Sequence, residues 1–348
     1  MTPTPTATCS TAAVLAAWTV QRLAEQTVVV PVQEADVAAV TSEVAAGAGG
    51  VLLFGSTAPA DLGPALAALS SHAPGGVAPL VMTDEEGGDV QRMANLVGSL
   101  PSARQMGATM TPAQIQTLTA ETGRRMRAAG VTMDLAPVLD LDGGAGPNDA
   151  DADGTRSFSL SASVAAADGL AFAAGLESAG VVPVAKHFPG LGGAGANPDV
   201  APASTLPWST LQAAGLLPFS AAVQAGIPAI MVMDAAVPGL TTLPASLSPA
   251  VMGVLRTRLG FGGLVLTDSL SAVSVTAAGY TVPQAAAAAL AAGADMVLFD
   301  GDPSAVPGLT AQTVQAITSA VQSGSLPRSR LEEAVRHVLA AKHLGLCG

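Results

Sequence analysis

The chain has few aromatic side chains, few charges and even fewer cations. Phe, Tyr and Trp make up 3% of its 348 residues, and Asp, Glu, Lys and Arg together 11%. A core without aromatics has to be filled by Ala, Val, Leu and Met. The 49% apolar content is ample for that and excludes a disordered chain. The net charge of −12 excludes the basic face that nucleic acid or an anionic membrane surface requires. No run of about 18 apolar residues exists, so no transmembrane segment is expected; the alanine-heavy stretch 285–292 is too short. Lysine occurs only at Lys186 and Lys342, and histidine only at His72, His187, His337 and His343. With two cysteines, neither in a CxxC pair, no metal site is expected. Asp149, Asp151, Asp153 and Gly154 match the opening of a calcium loop, but Leu160 stands where the bidentate Glu belongs, and a solvated acidic loop is the reading. No GxGxxG follows the first apolar run and no other cofactor motif occurs, so no cofactor is expected.

What the chain does have is alternation. Eight short apolar runs, at 26–33, 50–55, 78–84, 131–140, 181–188, 229–234, 263–268 and 294–300, read as strands buried on both faces. Between them lie Ala-rich helical stretches, most of them ending near a glycine such as Gly47, Gly130, Gly180, Gly226, Gly260 or Gly293, where a left-handed C-cap is wanted. Eight such units without a linker predict one α/β domain, a single (β/α)8 barrel over 11–348. Amphipathic helices at 11–24 and 328–343 are expected to pack against it. Residues 1–10, MTPTPTATCS, lack the charged and apolar regions of a signal peptide and read as a Thr/Pro-rich linker. In a barrel the termini lie close together. Cys9 and Cys347 are therefore disulfide candidates, which implies an oxidising compartment; two unrelated free thiols is the alternative.

Chemistry in such a barrel sits at the C-terminal ends of the strands, and the scarce polar residues fall there. The third strand runs into Asp84-Glu85-Glu86-Gly87-Gly88 and Arg92. The fourth reaches Asp140, and its loop carries Arg156-Ser157-Phe158. The fifth ends in Lys186-His187-Phe188-Pro189-Gly190, the sixth at Asp234 and the seventh in Thr267-Asp268-Ser269. Carboxylates and Arg suit sugar hydroxyls because each offers two coplanar hydrogen-bonding groups. A carboxylate can also attack an anomeric carbon. Each residue has a blander reading: a helix N-cap for Asp84 or Asp140, a loop brace for Arg156, an internal ion pair for Lys186.

Taken together, Asp84 to Gly88, Arg92, Ala136-Pro137-Val138, Arg156-Ser157-Phe158, Lys186 to Gly190 and Thr267-Asp268 resemble glycoside hydrolase family 3, and within it the single-domain NagZ-type β-N-acetylhexosaminidases. The resemblance runs from Gly49 to Asp300 in the family's order. It implies a retaining glycosidase acting on N-acetylglucosamine-containing, peptidoglycan-derived glycosides, with Asp268 as nucleophile. Asp84, Arg92, Arg156, Lys186, His187 and Asp234 would bind the sugar, Asp234 standing where the family usually has a His. It also implies a secreted or cell-surface protein, since the subgroup includes secreted lipoproteins of actinobacteria, and the ligand is then a small carbohydrate taken by a monomer.

The departures are local. The family's Lys-His-Phe-Pro-Gly-His is KHFPGL here, with Leu191 in place of the His. The following loop, which in the family carries an Asp-His acid/base dyad, reads Ala196-Asn197-Pro198-Asp199. Asp199 is the candidate substitute acid, provided that burial or a neighbouring carboxylate raises its pKa. Without the dyad three expectations stand: a weak or altered hydrolase, a catalytically degenerate sugar-binding protein, and a barrel repurposed for other chemistry.

Overall fold

The computed structural model describes residues 11–346; Cys9, Cys347 and the 1–10 linker lie outside that range. Eight parallel strands close into a barrel: β1 (Val28–Gln33), β2 (Gly50–Phe54), β3 (Leu80–Thr83), β6 (Met133–Asp134), β7 (Val182–Phe188), β8 (Ala229–Val232), β9 (Leu264–Ser269) and β10 (Met296–Leu298), with β1 paired to β10. The expected (β/α)8 architecture is thus present. A separate hairpin, β4 (Glu85–Gly87) and β5 (Val90–Gln91), stands on the end of β3.

Two apolar layers account for the barrel. Alternate strand residues, among them Val29, Leu52, Met82, Met133, Val184, Met231, Leu266 and Met296, point inward and fill the lumen, with the partly buried Phe54 packed against them, and Val338 and Ala341 join that cluster. The other strand faces pack against the helices in a second core that includes Phe172, Phe188, Phe219 and Phe299. Small residues let the helices approach closely. A Cβ on Gly175, in helix Ala162–Ser178, would come within 1.9 Å of Thr119 Oγ1 in helix Pro112–Ala128.

Some boundaries shift from the sequence reading, each for a local reason. The fourth strand, expected over 131–140, has a regular ladder only at Met133–Asp134. Pro137 has no N–H to give, and the segment instead follows β7 by single bonds, Val184 N to Ala136 O, Lys186 N to Pro137 O and Leu139 N to Lys186 O. The N-terminal helix divides into Thr11–Ala16 and Val20–Glu25 because Thr19 adopts an extended conformation and caps the second piece, accepting from Arg22 N. The stretch after β1 is a 3-10 turn (Glu34–Val40) followed by a short helix (Thr41–Ala46). Among the described residues no helix is long and apolar enough to cross a membrane.

Candidate functional site

A pocket of about 280 Å³ opens at the C-terminal end of the barrel, and seven of the sequence candidates line it: Asp84, Arg92, Arg156, Lys186, His187, Asp199 and Asp268. Met231, Leu135, Leu52 and Leu298 contribute apolar lining.

The cationic wall is assembled from three elements. Lys186, near the C-terminal end of β7, is 2% exposed and flanked by apolar strand residues, a costly position for an ammonium group unless it is paired. Its Nζ lies 2.8 Å from Asp84 Oδ1 and 2.6 Å from Glu86 Oε1. Burial works against its charge, but those two carboxylates more than offset it and hold the pKa above the ordinary lysine value. Arg156 donates from Nε to Glu86 Oε2 and from Nη2 to Glu86 Oε1, both at 2.8 Å. Glu86 is fully buried, yet Arg156 and Lys186 outweigh the cost of burial and keep its carboxyl far below the usual range. Arg92 approaches the other oxygen of Asp84 at 3.7 Å. The ion-pair reading of Lys186 and its pocket position therefore both hold. The salt-bridge cluster fixes side chains that also line the cavity.

The hairpin supplying Asp84 and Glu86 is held by Glu85, whose Oε1 accepts from Arg92 N and Met93 N; burial pushes Glu85 up to about 7. The loop supplying Arg156 turns at Gly154, with φ +49, where a Cβ would meet Gly146 O at 2.0 Å. The acidic stretch before it is solvated only in part: Asp149 is exposed, Asp151 accepts from Gly146 N and Gly154 N, and Asp153 is buried.

His187 is oriented from behind. Asp140 accepts from His187 N (2.9 Å), His187 Nδ1 (2.6 Å) and Leu191 N (2.6 Å), so it buttresses the β7 end and caps no helix. Burial and the Arg156 charge lower His187 to about 4, leaving the ring neutral, with its proton on Nδ1 and its Nε2, 3.3 Å from Arg156 Nη2, as acceptor. Asp153, 1% exposed, sits beside this pair at 3.7 Å from Nδ1, and burial together with the Asp140 charge pushes its carboxyl well up. Asp140, Asp153 and His187 form a cluster of potential metal ligands, with ligand atoms within 4.8 Å of one another. The Asp140 oxygens in it already accept three N–H groups.

Asp268 is the next-to-last residue of β9, with Oδ1 accepting from Ser269 N at 2.8 Å. Burial raises its pKa; the Lys186 charge pulls it back, and Asp199 adds to the rise. Asp199 arrives on the loop after Leu191. That loop is sewn to the segment following β9 by Ser274 N to Pro198 O, Val273 N to Asp199 O and Ala203 N to Ser274 Oγ. Asp199 is exposed as a residue, and desolvation of its carboxyl together with the Asp300 charge raises it above the ordinary Asp value, the direction its candidate role required.

Asp234 is the one sequence candidate that the structure does not bring into the pocket lining. It is 1% exposed and bonded to Ser246, and it faces a separate small cavity with Ala203, Ser204 and Ser274. Burial and the nearby Asp268 push its carboxyl well up. Conversely, Glu86, Asp153 and Asp300 are site residues that the sequence reading did not assign, and Asp140, weighed there as a helix N-cap, braces His187.

A family profile described as "Glycosyl hydrolase family 3 N terminal domain" matches residues 22–341. Among curated proteins, Beta-hexosaminidase LpqI of Mycobacterium tuberculosis is 37% identical over 280 residues, covering 77% of this chain and 69% of the relative. Solved structures agree. M. tuberculosis LpqI superposes with a TM-score of 0.85 at 34% identity, covering 98% of both chains. A Beta-N-acetylhexosaminidase from Beutenbergia cavernae gives 0.84 at 30% identity, covering 94% of this chain and 99% of its own. Profile, relatives and barrel converge: the chain belongs to glycosyl hydrolase family 3 and is a glycosidase.

Proposed function

We propose that the protein is a retaining β-N-acetylhexosaminidase acting on N-acetylglucosamine-containing glycosides, the class that includes peptidoglycan fragments. One observation carries the reading: Asp268 and Asp199 line a single pocket together with Asp84, Arg92, Arg156 and Lys186, whose side chains are held by ion pairs. In this reading Asp268 attacks the anomeric carbon and forms a glycosyl-enzyme. Asp199, whose pKa is raised by desolvation of its carboxyl and the Asp300 charge, gives its proton to the departing oxygen and then takes one from the attacking water. Asp84, Arg92, Arg156 and Lys186 hold the sugar hydroxyls, and His187 sets the Arg156 guanidinium by accepting from it. Asp199 thus does alone what a dyad does in the family pattern, and the neutral His187 has no part in proton transfer. The names of the relatives support the sugar class, and kinship to a secreted glycosyl hydrolase of Arthroderma benhamiae supports a location outside the cytoplasm.

The test is hydrolysis of 4-nitrophenyl N-acetyl-β-glucosaminide by the wild type and by Asp268→Ala and Asp199→Asn, with and without azide. Turnover that needs Asp268, and that azide restores to Asp199→Asn, supports the assignment. Sugar binding without turnover on any activated glycoside is the outcome for a degenerate binding protein, the reading favoured by Leu191 in place of the motif histidine.

A further inference from the structure

A second cavity, of about 370 Å³, abuts the sugar pocket and shares two of its walls, Phe54 and Asp300. Its remaining lining comes from the end of β1, the 3-10 turn after it, the loop after β10 and the start of the helix Val306–Ser323. That lining is mostly apolar, with Val32, Val40, Pro303 and Val306. Its two ionisable side chains, Asp36 and Asp300, are acidic and exposed, and no Lys, Arg or His lines it. The cation beside the shared wall, Arg92, lies over Phe54 at 5.5 Å, lines the sugar pocket and pairs with Asp84.

We infer that this cavity receives the leaving group of the glycoside and selects neutral or cationic aglycones over carboxylate-bearing ones. The inference rests on the hydrolase reading above. The proton donor must face the glycosidic oxygen, so the leaving group departs on the Asp199 side of the sugar. Asp300 lines the sugar pocket together with Asp199 and also lines the second cavity, so it is the wall at which the two meet. An aglycone passing it enters a space with apolar walls and two negative charges. Apolar surface there rewards an alkyl, aryl or sugar-face contact. A carboxylate meets like charge with nothing to pair it, which is how a pocket rejects a ligand it could otherwise hold. Among N-acetylglucosaminides, those joined to an uncharged or amino-bearing partner are then preferred to those joined to a lactyl-bearing sugar.

The test compares 4-methylumbelliferyl with 3-carboxyumbelliferyl N-acetyl-β-glucosaminide on the wild type, Asp36→Asn and Asp36→Lys. Asp36 lines only the second cavity, and taking the ratio of the two substrates within each protein, then between proteins, cancels leaving-group reactivity. The carboxylated-to-neutral ratio of kcat/KM is expected to rise about fivefold in Asp36→Asn and more in Asp36→Lys, and these differences shrink to about twofold in 0.5 M salt. A ratio that stays within about twofold of wild type in both variants overturns the inference. The same ratio read as dissociation constants on Asp268→Asn separates the two claims. If no protein turns over either glycoside but the binding ratio still follows Asp36, the hydrolase reading falls and the charge selection stands.

Discussion

Arg156 and Glu86 are joined by two parallel hydrogen bonds of 2.8 Å, and Lys186 adds a third contact of 2.6 Å to the same carboxylate. One anion thus organises both buried cations of the pocket wall. The guanidinium fork matches a carboxylate in plane, so this pair fixes direction as well as position. Holding the cations in place before the ligand arrives spares the ligand the cost of ordering them.

Glu86→Gln tests this arrangement. The amide offers one acceptor and no charge, leaving Lys186 and Arg156 buried with Asp84 and the weakly placed Asp153 as their remaining anions. Breaking a buried pair on one side costs about 3–5 kcal/mol. Denaturant unfolding is expected to show a loss of that order, with a raised KM for the nitrophenyl substrate. A loss under about 1 kcal/mol would mean that the wall is held by something else.

Arg156→Lys separates geometry from charge. The charge is kept, but the fork to Glu86 and the donor to His187 Nε2 cannot both be made by one ammonium group. We expect kcat/KM to fall about 10- to 100-fold with the thermal midpoint within a few degrees of wild type. Unchanged kinetics would reduce Arg156 to a loop brace.

Lys186 and Asp268 were legible in the sequence because charge inside an apolar strand is expensive and strand ends are where a barrel displays it. The barrel itself was legible because its strands are short, apolar and evenly spaced. Asp140 was ambiguous for a physical reason: a carboxylate at a strand end can cap a helix or brace a neighbouring strand, and only the β6–β7 geometry, which turns it toward His187 N and Leu191 N, decides. Asp153 was hidden inside an acidic run whose other members stay with the loop backbone. The position of Asp199 depended on glycines at 190, 192, 193 and 195, whose backbone freedom leaves no local pattern to read. What fixes that loop is its pairing with residues 273–274, some 75 residues away along the chain.

Asp199→Asn is predicted to split substrates by leaving group. General acid assistance is worth about 10²–10⁴-fold, so a glycoside with an alkyl or sugar aglycone should lose about that much and a nitrophenyl one far less. The pH profile carries a second signature. Asp268 acts ionised, and its raised pKa moves the acid limb upward, so activity is lost as pH falls through it. Asp199 acts protonated, and its raised pKa extends activity to higher pH before the proton is lost. The Asn variant should keep the acid limb and lose the alkaline one. If both limbs survive, the acid is another group.

Lys342 offers a test of stability away from the site. It follows the helix that closes the barrel floor, and its Nζ bonds to Gln26 Oε1 at 3.0 Å; burial lowers its pKa from 10.5 to about 7. Between those values the unfolded chain binds more protons than the folded one, so this group makes stability rise with pH across that window. Below about pH 7 the lysine is charged in both states, and the folded protein bears the full penalty of burying the charge. Lys342→Met removes that penalty at the expense of one partly buried hydrogen bond, while Gln26 keeps its bond to Gly47 O. The variant should therefore melt about 1–3 °C above wild type at pH 6, and the gain should vanish as the pH approaches 10. A gain independent of pH would show that packing, and not the buried ammonium charge, is what the substitution changes.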